Sequence, residues 1–338
     1  MFYIYPCTML TRTAILSISL LLGSTQFFAQ GLLDAENLDQ AFTDAQPGQI
    51  DQIPILFEDE LEDIGPQYLL TPGQPAHDCF YALLDAQLLY VSNPTLAEDA
   101  IAEGTDLLVF TAQIETRTRF EEYFGGKALA SLGMRYQVFR YGSLSDPDEL
   151  IGGSPASDND FEAATFYGYV KWIKDKWTVR FGLNWTQLDN DTSDSGFYKE
   201  LSPNISVTRF FSLSNDTALR IGYTGSWFIS ESENFDLPRD DFNDRITNQL
   251  FGSLRHQLFE KLSISPGIRI SYAYYIDDLN GDREDINLGA NLYLSYEVST
   301  HASLRFQSSL QKRYSSNDVI VDYDSYDFGF GGTFSYQF

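Results

Sequence analysis

The side chains in this chain best equipped for chemistry are arginines. Arg117, Arg119, Arg135, Arg180, Arg220, Arg255, Arg269, Arg305 and Arg313 each fall on the polar parity of a segment in which apolar and polar residues alternate. Residues of one parity share one face of a β-strand, so the set is expected to point to a common interior. Arg117, Arg119, Arg180, Arg220, Arg255 and Arg305 also lie toward the same end of their segments. Such a ring of fixed, permanently charged donors favours anions in a pore. It serves equally as a polar filling if it pairs with Glu115, Glu162, Glu297 and Asp327, because an uncompensated buried charge is costly. Lumen width decides between the two readings: roughly 8 strands fill with side chains and 16 to 18 hold an open channel.

Other chemistry is sparse. The chain has 3 histidines, His77, His256 and His301. A Ser-His lipid hydrolase needs His as general base beside a hydroxyl near the lipid face. His256 has that parity, but its neighbourhood from Leu254 to Leu258 fits no such motif, and His301 falls in a tight turn. Proteolysis at an outer rim needs paired acids and a histidine; the acids are present there and the histidine is not. No enzymatic activity and no cofactor are expected. Asp277, Asp278, Asn280 and Asp282 place oxygen ligands around an Asn280-Gly281 turn, a weak candidate for a divalent cation. The order of an EF-hand loop is missing, and a hairpin with a solvated acidic tip explains the same residues.

Twelve strands must position these groups. The clearest are 262–276 and 286–298, where Leu262, Ile264, Ile268, Ile270, Tyr272 and Tyr274, then Ile286, Leu288, Leu292, Leu294 and Tyr296, alternate with polar or small residues. Trp177 to Trp185 and Leu219 to Trp227 repeat the pattern, and weaker strands are expected near 78–92, 107–120, 127–141, 161–172, 198–211, 244–258 and 302–315. Connections alternate in length: short near Gly125, Lys174, Asn215, Glu260 and His301, longer over 93–106, 142–160, 189–197, 231–243, 277–284 and 316–324. A closed antiparallel sheet with one end in the periplasm has this parity.

The last strand carries Tyr326, Phe328, Phe330, Phe334, Tyr336 and Phe338 on one face and Asp327, Gly329, Thr333, Ser335 and Gln337 on the other. It resembles the terminal strand of bacterial outer-membrane β-barrel proteins, which the insertion machinery reads through alternate aromatic residues ending on Phe; Phe334, Tyr336 and Phe338 are the corresponding signal here. The resemblance implies an all-β, antiparallel, up-and-down transmembrane barrel over 78–338, of a porin-like, uncharacterised kind. Partners implied are outer-membrane lipid and lipopolysaccharide, the barrel-assembly machinery and small solutes. The stretch from Glu62 to Gln67 is similar to a segment of uncharacterised outer-membrane barrels and carries no known chemistry.

The N-terminus reads as an export signal over 1–29, with Arg12 ahead of an apolar run from Ala14 to Gly23, too short for a transmembrane helix. Cys7 is expected to be removed with it, leaving Cys79 as a small apolar strand residue. Residues 30–77 are acidic, contain Pro47, Pro54, Pro66, Pro72 and Pro75, and lack a sustained period, which suggests a disordered periplasmic extension. The formal net charge of -26, with no Lys or Arg between Arg12 and Arg117, excludes a nucleic-acid role.

The functional expectation is a narrow passive channel for small hydrophilic solutes, biased toward anions by the arginines. A plugged structural or surface-interaction barrel is the alternative, and an outer-membrane lipid hydrolase a further one. An autotransporter translocator has the same strand number, but residues 30–77 are too short for a typical passenger. A roughly 22-stranded transporter with a plug does not fit the length.

Overall fold

The computed structural model describes residues 80–93, 104–145, 150–151, 154–155, 160–189, 198–214, 216–232, 244–276, 283–316 and 322–337. The expected signal peptide and extension, His77, Cys79, the loop Asp277, Asp278, Asn280 and Asp282, and the terminal Phe338 lie outside the described residues.

Twelve strands form one closed antiparallel barrel: β1 (Phe80–Val91), β2 (Thr105–Tyr123), β3 (Gly126–Tyr141), β4 (Phe161–Lys174), β5 (Trp177–Asp189), β6 (Tyr198–Ser214), β7 (Thr217–Ser232), β8 (Arg245–Phe259), β9 (Leu262–Tyr275), β10 (Glu284–Ser299), β11 (Ala302–Ser315) and β12 (Tyr323–Gln337). Each strand pairs with its neighbours in sequence. The seam joins β1 to β12, running from Tyr81 opposite Gln337 to Val91 opposite Asp327. A two-residue ladder, Leu150–Ile151 against Ser154–Pro155, lies in the β3–β4 connection outside the barrel. Closure follows from the solvent: lipid offers no hydrogen-bond partner, so no strand edge can remain open.

The turn rule holds. Phe124 and Gly125 both take positive φ, 51° and 70°, and close β2 onto β3 in two residues, the geometry that suits the twist of a hairpin. Asp175 (φ 53°) begins the equally short turn from β4 to β5. Register shifts occur next to the short turns at Phe120/Tyr123, Ser212/Ser214, Gln257/Phe259 and Glu297/Ser299. All four lie at the end where bulges adjust a barrel rim without disturbing the span.

The outer parity is apolar: Leu84, Ile114, Leu132, Phe181, Leu250, Ile268 and Phe330 are among the exposed large side chains, Ile268 at 70 %. Left in water this girdle would be an exceptional exposed patch. Buried in hydrocarbon, each such side chain gains about 1.5–3 kcal/mol. Phe334 and Tyr336 stand on the same exposed face near the periplasmic rim, with the His301 ring 5.4 Å from that of Tyr336.

The inner parity departs from expectation. A wholly polar or small lumen face was anticipated, yet Leu107, Val109, Phe139, Tyr141, Phe161, Ala163, Leu188 and Tyr198 form a buried apolar band inside the extracellular half. They follow one another across the β2 to β6 wall: Leu107 faces Tyr141, Val109 faces Phe139, and Phe139 stacks on Phe161 at 4.3 Å. On the remaining wall Arg245, Tyr275, Tyr323 and Asp285 are almost fully buried. A twelve-stranded barrel is narrow enough for large inward side chains to pack and exclude water at this level.

Ile268 lies at the middle of β9 on the outer face. Ile268→Arg is expected to destabilise the barrel in lipid vesicles by about 2–4 kcal/mol, read by denaturant unfolding. An unchanged unfolding curve would mean that this face does not meet lipid.

Candidate functional site

Periodicity carries the arginines inward. Arg117, Arg135, Arg305 and Arg313 are buried, and Arg180, Arg220, Arg255 and Arg269 are half-buried on the inner parity of their strands. Arg119 sits in β2, but its side chain lies outside the described atoms. With the short turns marking the periplasmic side, Arg117, Arg180, Arg220, Arg255 and Arg305 occupy that half of their strands.

These arginines divide by what they touch. Arg117 Nε donates to Glu115 Oε1 at 2.7 Å, Arg305 Nη2 lies 3.3 Å from the Asp85 carboxylate, and Arg255 reaches Glu297 at 3.9 Å. Arg269 meets the Gln311 side chain, and Arg313 covers the Tyr323 ring. Arg135 lies over Tyr167. Arg180 covers Tyr169 with its carbon 4.4 Å from the ring centroid, and Arg220 covers Phe251 at 5.1 Å. Neither Arg180 nor Arg220 contacts a carboxylate among the described residues, and the Nε of each is buried with no hydrogen-bond acceptor.

Of the four acids expected as partners, Glu115 and Glu297 pair with Arg117 and Arg255. Asp327 faces inward, takes hydrogen bonds from Ser309 and Ser325 and lies in the field of Arg269. Glu162 does not belong to the lumen. Its even parity on β4 turns it outward, where it accepts from Tyr136 and from Arg140 Nη2 at 2.8 Å. Acids not foreseen complete the pairing: Asp85 with Arg305, Glu200 with Arg245 at 3.6 Å, and Asp285 with Arg283.

Glu115 is the most heavily engaged group in the lumen. Its two oxygens accept from Arg117, from Ser131 at 2.5 Å, from Tyr167 at 2.7 Å and from Tyr169 at 2.9 Å, with Gln113 at 3.5 Å. Gly133 lies between Glu115 and Tyr167 in register, and a Cβ there would sit 2.4 Å from the Tyr167 ring. The missing side chain is therefore the space through which the phenol reaches the carboxylate.

Lys171 belongs to the same cluster and was not among the expected lumen residues. β4 turns it inward, 3 % exposed and directly opposite Arg180. Its parity with Tyr167 and Tyr169 would have revealed it. Its ammonium lies 5.5 Å from the Tyr169 ring and in the field of Arg180, Arg117 and Arg220, against the single negative charge of Glu115.

Catalytic and metal arrangements are weaker. Nδ1 of His256 lies 2.9 Å from the Thr217 hydroxyl, and among the described residues no acid orients the ring. Among the described residues no group of His, Cys, Asp and Glu is arranged to hold a metal.

The closed strand order, the exposed apolar girdle and the alternation of two-residue turns with longer connections are met together only where a sheet spans lipid. The chain is a closed, twelve-stranded β-barrel of the kind that spans a membrane. No family model and no curated protein sequence matches it. Among solved structures it is similar in fold to an outer-membrane channel from Pseudomonas putida F1 (9% identity, 80% of this chain and 100% of that one, TM-score 0.49). It is also similar to the β domain of the Bordetella autotransporter BrkA (14% identity, 76% and 99%, TM-score 0.42). A third is an anion-selective porin from Comamonas acidovorans (9% identity, 76% and 98%, TM-score 0.37). At these identities the likeness concerns architecture alone.

Glu115→Gln removes the carboxylate to which Arg117 Nε donates. It is expected to cost about 3–5 kcal/mol of barrel stability in denaturant unfolding, and a loss below about 1 kcal/mol would show that the charge is not needed to hold the cluster.

Proposed function

We propose that the barrel is a narrow passive channel for small hydrophilic solutes, biased toward anions. The observation that carries this reading is the surplus of positive charge in the periplasmic half of the lumen. Lys171 lies in the field of Arg180, Arg117 and Arg220 and of one carboxylate, Glu115, whose oxygens already accept from Arg117, Ser131, Tyr167 and Tyr169. A carboxylate offers about four lone-pair positions, so Glu115 cannot also bond Lys171, Arg180 and Arg220. Charges held between low-dielectric walls focus their field along the water between them, and rings of cationic side chains select anions in pores. A purely structural filling would instead give each arginine its own acid, as for Arg305 and Asp85.

A second reading, a closed barrel with no transport, is favoured by one observation. The extracellular half holds the most deeply buried large side chains, Arg245, Tyr275, Tyr323, Phe161 and Leu188. Under the channel reading this band is the constriction that sets the size of what passes.

Refolded protein in planar bilayers under a salt gradient tests both. The channel reading expects discrete conductance steps with an anion-selective reversal potential, shifted toward neutrality in Arg180→Gln and Arg220→Gln. Phe161→Ala is expected to raise unit conductance by trimming the constriction. Silence from folded wild-type protein and from Phe161→Ala alike would overturn the channel and leave the closed barrel.

A further inference from the structure

We propose that Lys171, Arg180 and Arg220 form a binding site for a doubly charged oxyanion group, a phosphate, a sulfate or a phosphomonoester, in the periplasmic half of the lumen; this deepens the anion-channel reading and rests on it. Three observations carry it. First, Lys171 and Arg180 are directly opposite on β4 and β5, and both point inward. Like charges in that relation destabilise a sheet, so the pair needs a counter-charge. Among the described residues none in contact provides it.

Second, the guanidinium groups are oriented by aromatic faces rather than by acids. Arg180 lies over Tyr169 and Arg220 over Phe251. A cation–π contact engages the face of the guanidinium and leaves its N–H groups in the plane. Those in-plane donors have no acceptor at Nε in either residue. Third, Lys171 is 3 % exposed and its ammonium lies 5.5 Å from the same Tyr169 ring that Arg180 covers. Lys171 and Arg180 thus face each other across β4 and β5, and Arg220 acts on the same ammonium from β7; the two guanidinium groups are planar forks that match the oxygen pairs of a tetrahedral oxyanion. A halide offers one sphere of charge and satisfies fewer of these donors. Tyr169 anchors the site through its own hydrogen bond to Glu115 at 2.9 Å, which keeps the ring under Arg180.

The test separates the site from the channel by measuring binding without current. Detergent-solubilised, refolded full-length barrel is equilibrated with radiolabelled inorganic phosphate at fixed ionic strength, with chloride, sulfate and glycerol 3-phosphate as competitors. Saturable binding of one phosphate per barrel is expected, displaced by sulfate and glycerol 3-phosphate at far lower concentration than by chloride. Whichever of phosphate and glycerol 3-phosphate binds tighter identifies a free ion or an ester as the better ligand. Lys171→Gln and Arg220→Gln are expected to weaken binding by about tenfold or more each, while Lys171→Arg keeps it. Lys312→Gln serves as control, since Lys312 is exposed on the outer face and bonded to Asp324. No saturable binding by wild-type protein, or displacement by chloride as effective as by sulfate, would overturn the site whether or not the variants fold. Binding without bilayer conductance would uphold the site and sink the channel, whereas anion-selective conductance without phosphate binding would do the reverse.

Discussion

Everything in this barrel follows from the cost of an unpaired backbone group in hydrocarbon. An amide or carbonyl left without a partner in lipid costs several kcal/mol, and a strand edge would present a row of them. The seam between β1 and β12 removes that edge, with pairing continuous from Tyr81 to Val91. Once the sheet is closed with twelve strands, its width is no longer free. Side chains of one parity must meet lipid, and those of the other must share a narrow space.

That shared space explains why the lumen has two characters. Toward the extracellular end it is filled by shape: Phe139 stacks on Phe161, and Leu107, Val109 and Leu188 join the same band. Ions at that level are closely paired, as Arg283 is with Asp285 beneath Tyr275. Toward the periplasm the filling is electrostatic and incomplete. Glu115 gathers two tyrosines, a serine and Arg117, and with its oxygens occupied the neighbouring cations face the remaining space. Aromatic rings hold those cations in place without neutralising them.

Most of the architecture was legible in the sequence, because period-2 alternation, turn residues and connection lengths are local signals. The strands at 262–276 and 286–298 fall within a residue or two of β9 and β10. The inward arginines followed from the same parity. What escaped is non-local. The run Leu107-Leu108-Val109-Phe110 breaks alternation by being apolar on both faces, which marks a strand segment that is dry on each side; it reads as a weak strand until the lumen is seen to be packed there. Glu162 was misplaced because charge complementarity was allowed to outrank parity. Lys171 escaped notice because the arginines drew attention to the lumen charge, although its parity with Tyr167 and Tyr169 turns it inward. The partner of Arg305 was invisible for a simpler reason: Asp85 is 220 positions from Arg305, and only closure brings β1 and β11 to either side of β12.

The total charge of the chain is a poor guide to what the lumen prefers. The formal charge is -26, which taken alone argues for attracting cations. Yet screening in water confines an exposed charge to a neighbourhood of about 8 Å at physiological ionic strength. Lys171 lies ten residues along β4 from Phe161, about 33 Å of strand and several screening lengths from that end of the barrel. Within reach of Lys171 the balance is Arg117, Arg180 and Arg220 against Glu115. On the channel reading, acidic connections would act on what approaches the extracellular rim, and the cations on what passes the apolar band. A solute selected by both would carry its negative charge on a small group and remain compact enough for the constriction, which favours a small oxyanion over a bulky polyanion.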